Sequence, residues 1–324
     1  MPSQKPLSQL PQAAAASKPR LAGKRIPVAE QLRKTWSYQA PESPRGKRRA
    51  QIREGRVLRN IVNVSEKNRL LLATVRNIRD LRLKGLDLER QANLAAREVA
   101  KAALEDFLVE EPLWGRHHIT GKPVKGHKVA ITDPVFVTVP RAGFAMADGV
   151  AGTLRNYTGK KPKLGIVDVK RQEGTAFPEK GKAWLPKISK ESTVFVADGM
   201  IASGGTTRES IQELINTGVK PDQIVLLGLF AAPEGLEELE HHFPGIKVYC
   251  AVIDEKLNTR AFIEPGIGDL GDRVYGKHTL RLTVYQHVVQ LIKDHIANPG
   301  IFNQTIAAAS REIEKLHEAA KKNH

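Results

Sequence analysis

A chain of 324 residues with 41% hydrophobic content carries enough apolar material for a full buried core, which excludes a fibrous or wholly disordered protein. No apolar run approaches the roughly 18 residues that a membrane-spanning helix needs. The net charge of +16 is concentrated in residues 1–59, where only Glu30, Glu42 and Glu54 oppose the Lys and Arg, so the rest is much nearer neutral.

The first 29 residues hold no acid and are rich in Ala, Ser, Gln and Pro. An acid-poor, basic start fits a leader to an organelle such as the mitochondrial matrix, whereas Pro2, Pro6, Pro11, Pro19 and Pro27 oppose the amphipathic helix such leaders form. A cytoplasmic chain with a plain tail is the other reading. Residues 41–59 are a basic block, expected to be either a solvated arm or a contact for RNA, a ribonucleoprotein or another acidic partner.

Leu70, Leu71, Val75, Ile78 and Leu81 recur at helical spacing, and Leu88, Leu94, Val99, Ala103 and Phe107 predict a second helix after Gly85. Beyond Pro112 short β-rich runs alternate with helical ones: strands over 135–139, 164–169, 194–197, 224–230 and 248–253, helices over 144–154, 207–216 and 235–242. Alternation of this kind predicts an α/β domain over 60–279, with a central parallel sheet flanked by helices. The second of those helices has a start signal in Thr206 and Glu209, which fit a capping box, and Gly218 is placed to end it. Two further helical stretches, 280–296 and 304–320, form a C-terminal extension over 280–324, with Asn298-Pro299-Gly300 as the turn between them. The lone Cys250 lies in an apolar run and reads as core, and the pairs His117-His118 and His241-His242 read as surface residues.

The stretch 194–207 is the most informative: an apolar strand delivers Asp198 at its carboxyl end, then come Gly199, Met200, Ile201, Ala202, Ser203, Gly204 and Gly205, then a helix opened by Thr206 and Thr207. Glycines let backbone approach an anion, small hydroxyls add donors, and the first amides of a helix carry partial positive charge. Such a loop binds a phosphate monoester, and Asp198 is placed to accept hydrogen bonds from sugar hydroxyls at the carboxyl edge of the sheet. No Lys follows the glycines, so a nucleoside triphosphate P-loop is excluded. A second basic-and-glycine turn, Arg141-Ala142-Gly143, ends the 135–139 strand at the same sheet edge, where an arginine can clamp pyrophosphate.

The unit of strand, acid, loop and helix resembles the phosphoribosyl pyrophosphate motif of the type I phosphoribosyltransferases, and Asp198-x-Met200-x-Ala202-Ser203-Gly204-Gly205 resembles its uracil branch. Ala231-Ala232-Pro233-Glu234-Gly235, Ile253-Asp254-Glu255-Lys256-Leu257-Asn258 and the base loop within 262–275, Ile263-Glu264-Pro265-Gly266-Ile267-Gly268-Asp269-Leu270-Gly271-Asp272-Arg273, follow in the order seen in uracil phosphoribosyltransferases. Gly266, Gly268 and Gly271 also match a dinucleotide fingerprint, but they do not directly follow a strand of the predicted sheet.

The resemblance implies the type I fold and transfer of phosphoribosyl from phosphoribosyl pyrophosphate to uracil, giving UMP and pyrophosphate, with Mg²⁺ as cofactor and a homo-oligomeric state. It further implies that Asp198, Met200, Ala202, Ser203, Gly204, Gly205, Thr206 and Thr207 hold the phosphoribosyl group. The backbone at Ile263 and Gly268 would hold uracil beside Phe262, Asp269 would stand near the reacting nitrogen and the pyrophosphate-bound metal, and Arg141 and Arg171 would contact pyrophosphate.

The sequence departs from the family pattern at Gly199 for Pro, Ser203 for Thr, Pro140 for Leu, Ala145 for Gly, Lys170 for Tyr, Trp184 for Lys and Phe262 for Tyr. The first two are expected to be mild, while the changes at 170 and 184 fall in the expected lid over the site. Together with the two extensions, these departures motivate an alternative: a phosphoribosyltransferase-like protein of weak or no catalysis that binds RNA or a ribonucleoprotein.

Overall fold

The computed structural model describes residues 60–169 and 182–276. The basic segment 1–59, the stretch holding Lys170 and Arg171, and the expected helices 280–296 and 304–320 lie outside the described residues.

Chain order gives β1 (Ile61–Asn63), α1 (Arg69–Arg79), α2 (Gly85–Glu105), β2 (Leu108–Arg116), β3 (Pro123–Val129), β4 (Asp133–Thr138), α3 (Ala147–Thr158), β5 (Lys163–Asp168) and β6 (Lys182–Trp184). Then follow β7 (Ser192–Ala197), β8 (Met200–Ile201), α4 (Gly205–Asn216), β9 (Ile224–Ala231), α5 (Pro233–His242), β10 (Lys247–Ile253), β11 (Lys256–Leu257), β12 (Ile263–Glu264) and α6 (Leu270–Tyr275). The main sheet runs β1-β10-β9-β7-β4-β5-β6, with β8 also paired to β9. Every pairing in it is parallel except β5 with β6.

The central strands read as continuous apolar runs because helices cover both faces; all eight residues of β9 are buried. Strand alternation divides them between two layers. Phe136, Phe195, Leu227, Tyr249 and Ala251 face α1, α2 and α3, whereas Val135, Val194, Val196, Leu226 and Cys250 face α4 and α5. Cys250 is fully buried, as its apolar setting predicts, and burial pushes its thiol up to about 12, with the Asp198 carboxylate adding to the shift.

Ala92, Ala95, Ala96, Val99, Ala100 and Ala103 of α2 are all fully buried, so this helix presents mostly small side chains to the elements packed on it. At the crossing with α3, Gly149 lies so near the Asn93 carbonyl that no Cβ would fit, and the Gly149 amide donates to Asn93 Oδ1 at 2.7 Å.

Three expectations change. The helical pattern near the start misassigned its outer residues: Leu70 and Leu94 are exposed, while Leu81 and Phe107 lie past the ends of α1 and α2, because Leu71, Val75 and Ile78 already satisfy the core side of α1. The antiparallel hairpin β2–β3 is new, as is the short edge strand β1. Finally, α4 starts at Gly205 with Gly204 as its cap, φ +81°, and no side chain caps it. The Thr206 and Glu209 capping box does not form, since the left-handed glycine turns the chain into the helix earlier and Glu209 pairs instead with Arg208. Gly218 does end the helix, its amide bonding the Ile215 carbonyl with φ +94°.

Candidate active site

Three loops meet at the carboxyl ends of β4 and β7, where ligands of parallel sheets gather. The first is the phosphate loop. Asp198 follows β7 directly and is 6% exposed; its Oδ2 accepts from Thr207 Oγ1 at 2.6 Å and its Oδ1 from the Met200 amide at 3.3 Å. The carboxylate thus ties the strand end to the first turn of α4 and draws the loop into an arch. Met200 and Ile201 anchor that arch by pairing with Phe230 and Ala231 of β9, and the Ala232 amide donates to the Ile201 carbonyl. The first intrahelical bond of α4 runs from the Arg208 amide to the Gly204 carbonyl at 2.7 Å, so the preceding turn presents its amides at the mouth of the loop. A Cβ at Gly204 would stand 2.8 Å from the Gly235 carbonyl, so the loop can pack on α5 only with glycine there.

The second loop is Arg141-Ala142-Gly143, which follows β4 after Val139. The Pro140–Arg141 peptide is cis. Gly143 is wedged against the Ala197 and Val139 carbonyls and the Thr138 hydroxyl, with no room for a side chain. The third loop carries Asp269, whose Oδ1 accepts from the Asp272 amide at 2.8 Å and so caps α6. Gly268 before it has φ +74° and open space where a Cβ would stand. Phe262, six residues earlier in the same loop, carries an exposed ring.

Side-chain contacts knit the loops together. Arg141 Nη1 bonds Asp272 Oδ1 at 2.8 Å and Arg141 Nη2 lies 3.8 Å from Asp269 Oδ2. A Cβ placed on Gly199 would stand 2.9 Å from the Ala142 carbonyl and 3.0 Å from Leu270 Cδ2; one on Gly271 would stand 2.8 Å from Arg141 Cβ and 3.2 Å from Asp269 Oδ1. Asp198, Arg141 and Asp269 therefore border one site.

This geometry agrees with a family profile, that of uracil phosphoribosyltransferase, which matches residues 64–277. The chain belongs to the uracil phosphoribosyltransferase family. It is 34% identical over 184 residues to the uracil phosphoribosyltransferase of Lactococcus lactis subsp. cremoris, covering 56% of this chain and 81% of that one. To the Bacillus pumilus enzyme of the same name it is 34% identical over 190 residues, covering 58% and 84%. Among solved structures, the AQ2163 protein from Aquifex aeolicus superposes with a TM-score of 0.56 at 28% identity, over 67% of this chain and 98% of that one. As a member of this family the chain is a transferase that converts uracil and phosphoribosyl pyrophosphate to UMP and pyrophosphate, a step of pyrimidine salvage. The alternative of a non-catalytic RNA-binding relative gains no comparable support.

Of the residues expected at the site, Arg141 and Asp269 approach each other and the loop after Asp198 packs on both of their loops at Gly199, whereas Arg171 lies outside the described residues. Trp184 is not part of a free-standing lid: it sits on β6, paired across to Ile166 of β5 at the sheet edge. Gly199, one of the departures from the family pattern, is where two other loops close on the phosphate loop. Asp272 stood in the quoted motif without a role, although its place three residues after Asp269 at the start of a helix puts both acids at one helix end. Asp254 likewise stood in a quoted motif without a role, while Arg79, which bonds both Asp254 and the Gly266 carbonyl, gave no local signal.

Proposed function

We propose that the edge bounded by Asp198, Arg141 and Asp269 is the site at which this chain makes UMP, and that its residues divide the substrate between them. The amides of Ser203, Gly204, Gly205, Thr206 and Thr207 cradle the 5′-phosphate at the start of α4. Asp198 accepts from the ribose hydroxyls; its bond from Thr207 keeps the carboxylate oriented for that task. Met200 and Ala202 contribute backbone that sets the shape of the arch. Uracil lies in the opening at Gly268, its edge on the backbone of Ile263 and Gly268 and its face near Phe262, with Asp269 at the reacting nitrogen.

Departure of pyrophosphate concentrates negative charge at the bond being broken, and the ribose C1′ becomes oxocarbenium-like as uracil N1 approaches. Arg141, with Arg171 as a second cation, stabilises that charge through a guanidinium fork suited to phosphate oxygens. The donor set fits Mg²⁺: a hard cation that takes one or two carboxylates, water and substrate phosphates suits Asp269 with Asp272 beside it, where Arg141 already balances their charge. When bound, the ion neutralises pyrophosphate charge. The protein's share is orientation and fixed charge, and no side chain has to form a covalent intermediate.

The observation that supports this reading is the close approach of the three loops at Gly199 and Gly271. The test is incubation with uracil, labelled phosphoribosyl pyrophosphate and Mg²⁺: the wild type should form UMP and Asp269→Asn should be strongly impaired. Absence of UMP above the Asp269→Asn level would refute the assignment. We also propose a homo-oligomer in the cytoplasm or mitochondrial matrix whose basic segment 41–59 contacts RNA or a ribonucleoprotein; deletion of residues 1–59 should then abolish salt-sensitive RNA binding.

A further inference from the structure

We infer that Arg79 and Asp254 are a positioning pair that sets the conformation of the base loop, and so governs the affinity for uracil without touching it. The inference rests on the reading above that residues 262–269 hold the base.

Arg79 is the last residue of α1 and Asp254 follows β10, so the two come from opposite ends of the domain. Their guanidinium and carboxylate lie side by side, Nη2 to Oδ1 at 2.5 Å and Nη1 to Oδ2 at 3.3 Å. Each also takes one backbone group of the same residue: Arg79 Nη1 donates to the Gly266 carbonyl at 2.8 Å, and Asp254 Oδ2 accepts from the Gly266 amide at 3.0 Å. Gly266 is thus gripped through both of its polar groups, two residues from Gly268. Its φ of +49° and its contact with the Ile263 carbonyl leave the turn no room for a side chain.

Stability alone does not explain a charged pair here. The Asp254 side chain is 3% exposed, and buried ion pairs are often replaceable by apolar residues at no net loss. What apolar side chains cannot do is hold an amide and a carbonyl of one residue in a fixed orientation. Arg79 also reaches the other half of the site: its guanidinium lies 5.0 Å over the ring of Phe230, whose amide donates to the Gly199 carbonyl of the phosphate loop. The arginine therefore stands between the loop that holds the base and the strand that anchors the phosphate loop.

Arg273 fixes this arrangement from below. It donates to the Ile78, Asp80 and Leu83 carbonyls at 2.8, 2.6 and 2.9 Å and to the Ile267 carbonyl at 3.3 Å, tying the end of α1 to the base loop. Burial lowers the affinity of Arg273 for its proton, and the carbonyls around it provide the compensating acceptors.

The test uses Arg79→Lys, Arg79→Met, Asp254→Asn and the double variant Arg79→Met with Asp254→Asn in the full chain. Steady-state rates would be measured with each substrate varied, UMP and ribose 5-phosphate binding by calorimetry, and amide exchange at Gly266 and Gly268 by NMR. The expected result is a rise of about tenfold or more in KM for uracil and a matching loss of UMP affinity, with KM for phosphoribosyl pyrophosphate and ribose 5-phosphate affinity changed less than about twofold. Arg79→Lys should show the defect too, because an ammonium cannot reproduce the fork. The double variant should be no worse than the more damaging single one, as expected of a unit, and exchange at Gly266 should accelerate. Equal rises in both KM values, unchanged uracil KM, or unaltered exchange would overturn the inference. A wild type that makes no UMP would instead refute the site assignment, while the exchange measurement would still decide whether the pair holds the loop.

Discussion

Replacing Gly199 with Ala adds a single methyl group at the point where the three loops of the site converge. A Cβ there would stand 3.0 Å from Ala142 Cβ, 3.0 Å from Leu270 Cδ2 and 2.9 Å from the Ala142 carbonyl. Carbon atoms rest about 3.5–4.0 Å apart, so the Arg141 loop and the start of α6 must each withdraw by roughly 0.5 Å. Overpacking of this kind costs about 1–3 kcal/mol. For a domain of this size that predicts a fall of about 2–12 °C in melting temperature. Because the movement separates Asp198 from Arg141 and Asp269, the rate at saturating substrates should fall on the order of tenfold, in line with the sensitivity of positioned reactants to small displacements. Calorimetric melting and a radiometric UMP assay measure the two effects on the same preparation. A variant that melts within about a degree of the wild type and keeps its rate would show that the loops do not meet as described.

Thr207→Val keeps the shape of a fully buried side chain but removes the hydroxyl that donates to Asp198, so urea unfolding should show a loss of about 1–3 kcal/mol and KM for phosphoribosyl pyrophosphate should rise. Arg141→Gln removes the cation placed for pyrophosphate, and kcat should fall on the order of 10²-fold while KM for uracil changes little. Glu89 supplies a pH test. Burial raises its carboxyl to about 7, against a bond from the Tyr275 hydroxyl and with the Asp148 charge adding to the rise. A carboxyl raised in the folded state stabilises fully below its unfolded value near 4.5, and that contribution is lost as pH climbs through about 7. Denaturation curves should therefore show Glu89→Gln gaining on the wild type between those two pH values; parallel pH profiles would contradict the shift.

Much of the site could be read in the sequence because its chemistry is local. The run from Val194 to Thr207 contains strand, acid, loop and helix start in one stretch, and the Arg141 and Asp269 turns each carry their own glycines. The order of apolar runs likewise predicted β4, β5, β7, β9 and β10, since strands covered on both faces must be apolar throughout. What escaped was either locally ambiguous or non-local. The β2–β3 hairpin mixes Glu110, Glu111, Lys125 and Lys128, which pair across the two strands, and its β3 alternates exposed and partly buried residues without an apolar face. The start of α4 was misplaced because a Thr followed by Glu imitates a cap, whereas backbone geometry at Gly204 decides the matter. Arg79 gave no sign of its partner because Asp254 is 175 residues away and only the fold brings them together. Asp272 needed the structure for the same reason: its partner Arg141 is 131 residues distant.

The most direct test of the active-site assignment is a crystal structure of the protein grown with UMP, the product that spans the phosphate and base positions at once. The account predicts the 5′-phosphate on the amides of Ser203 to Thr207, the ribose hydroxyls on Asp198, and the uracil edge on the backbone of Ile263 and Gly268. UMP bound elsewhere, or bound with its phosphate at Arg141 and its base away from Gly268, would contradict it.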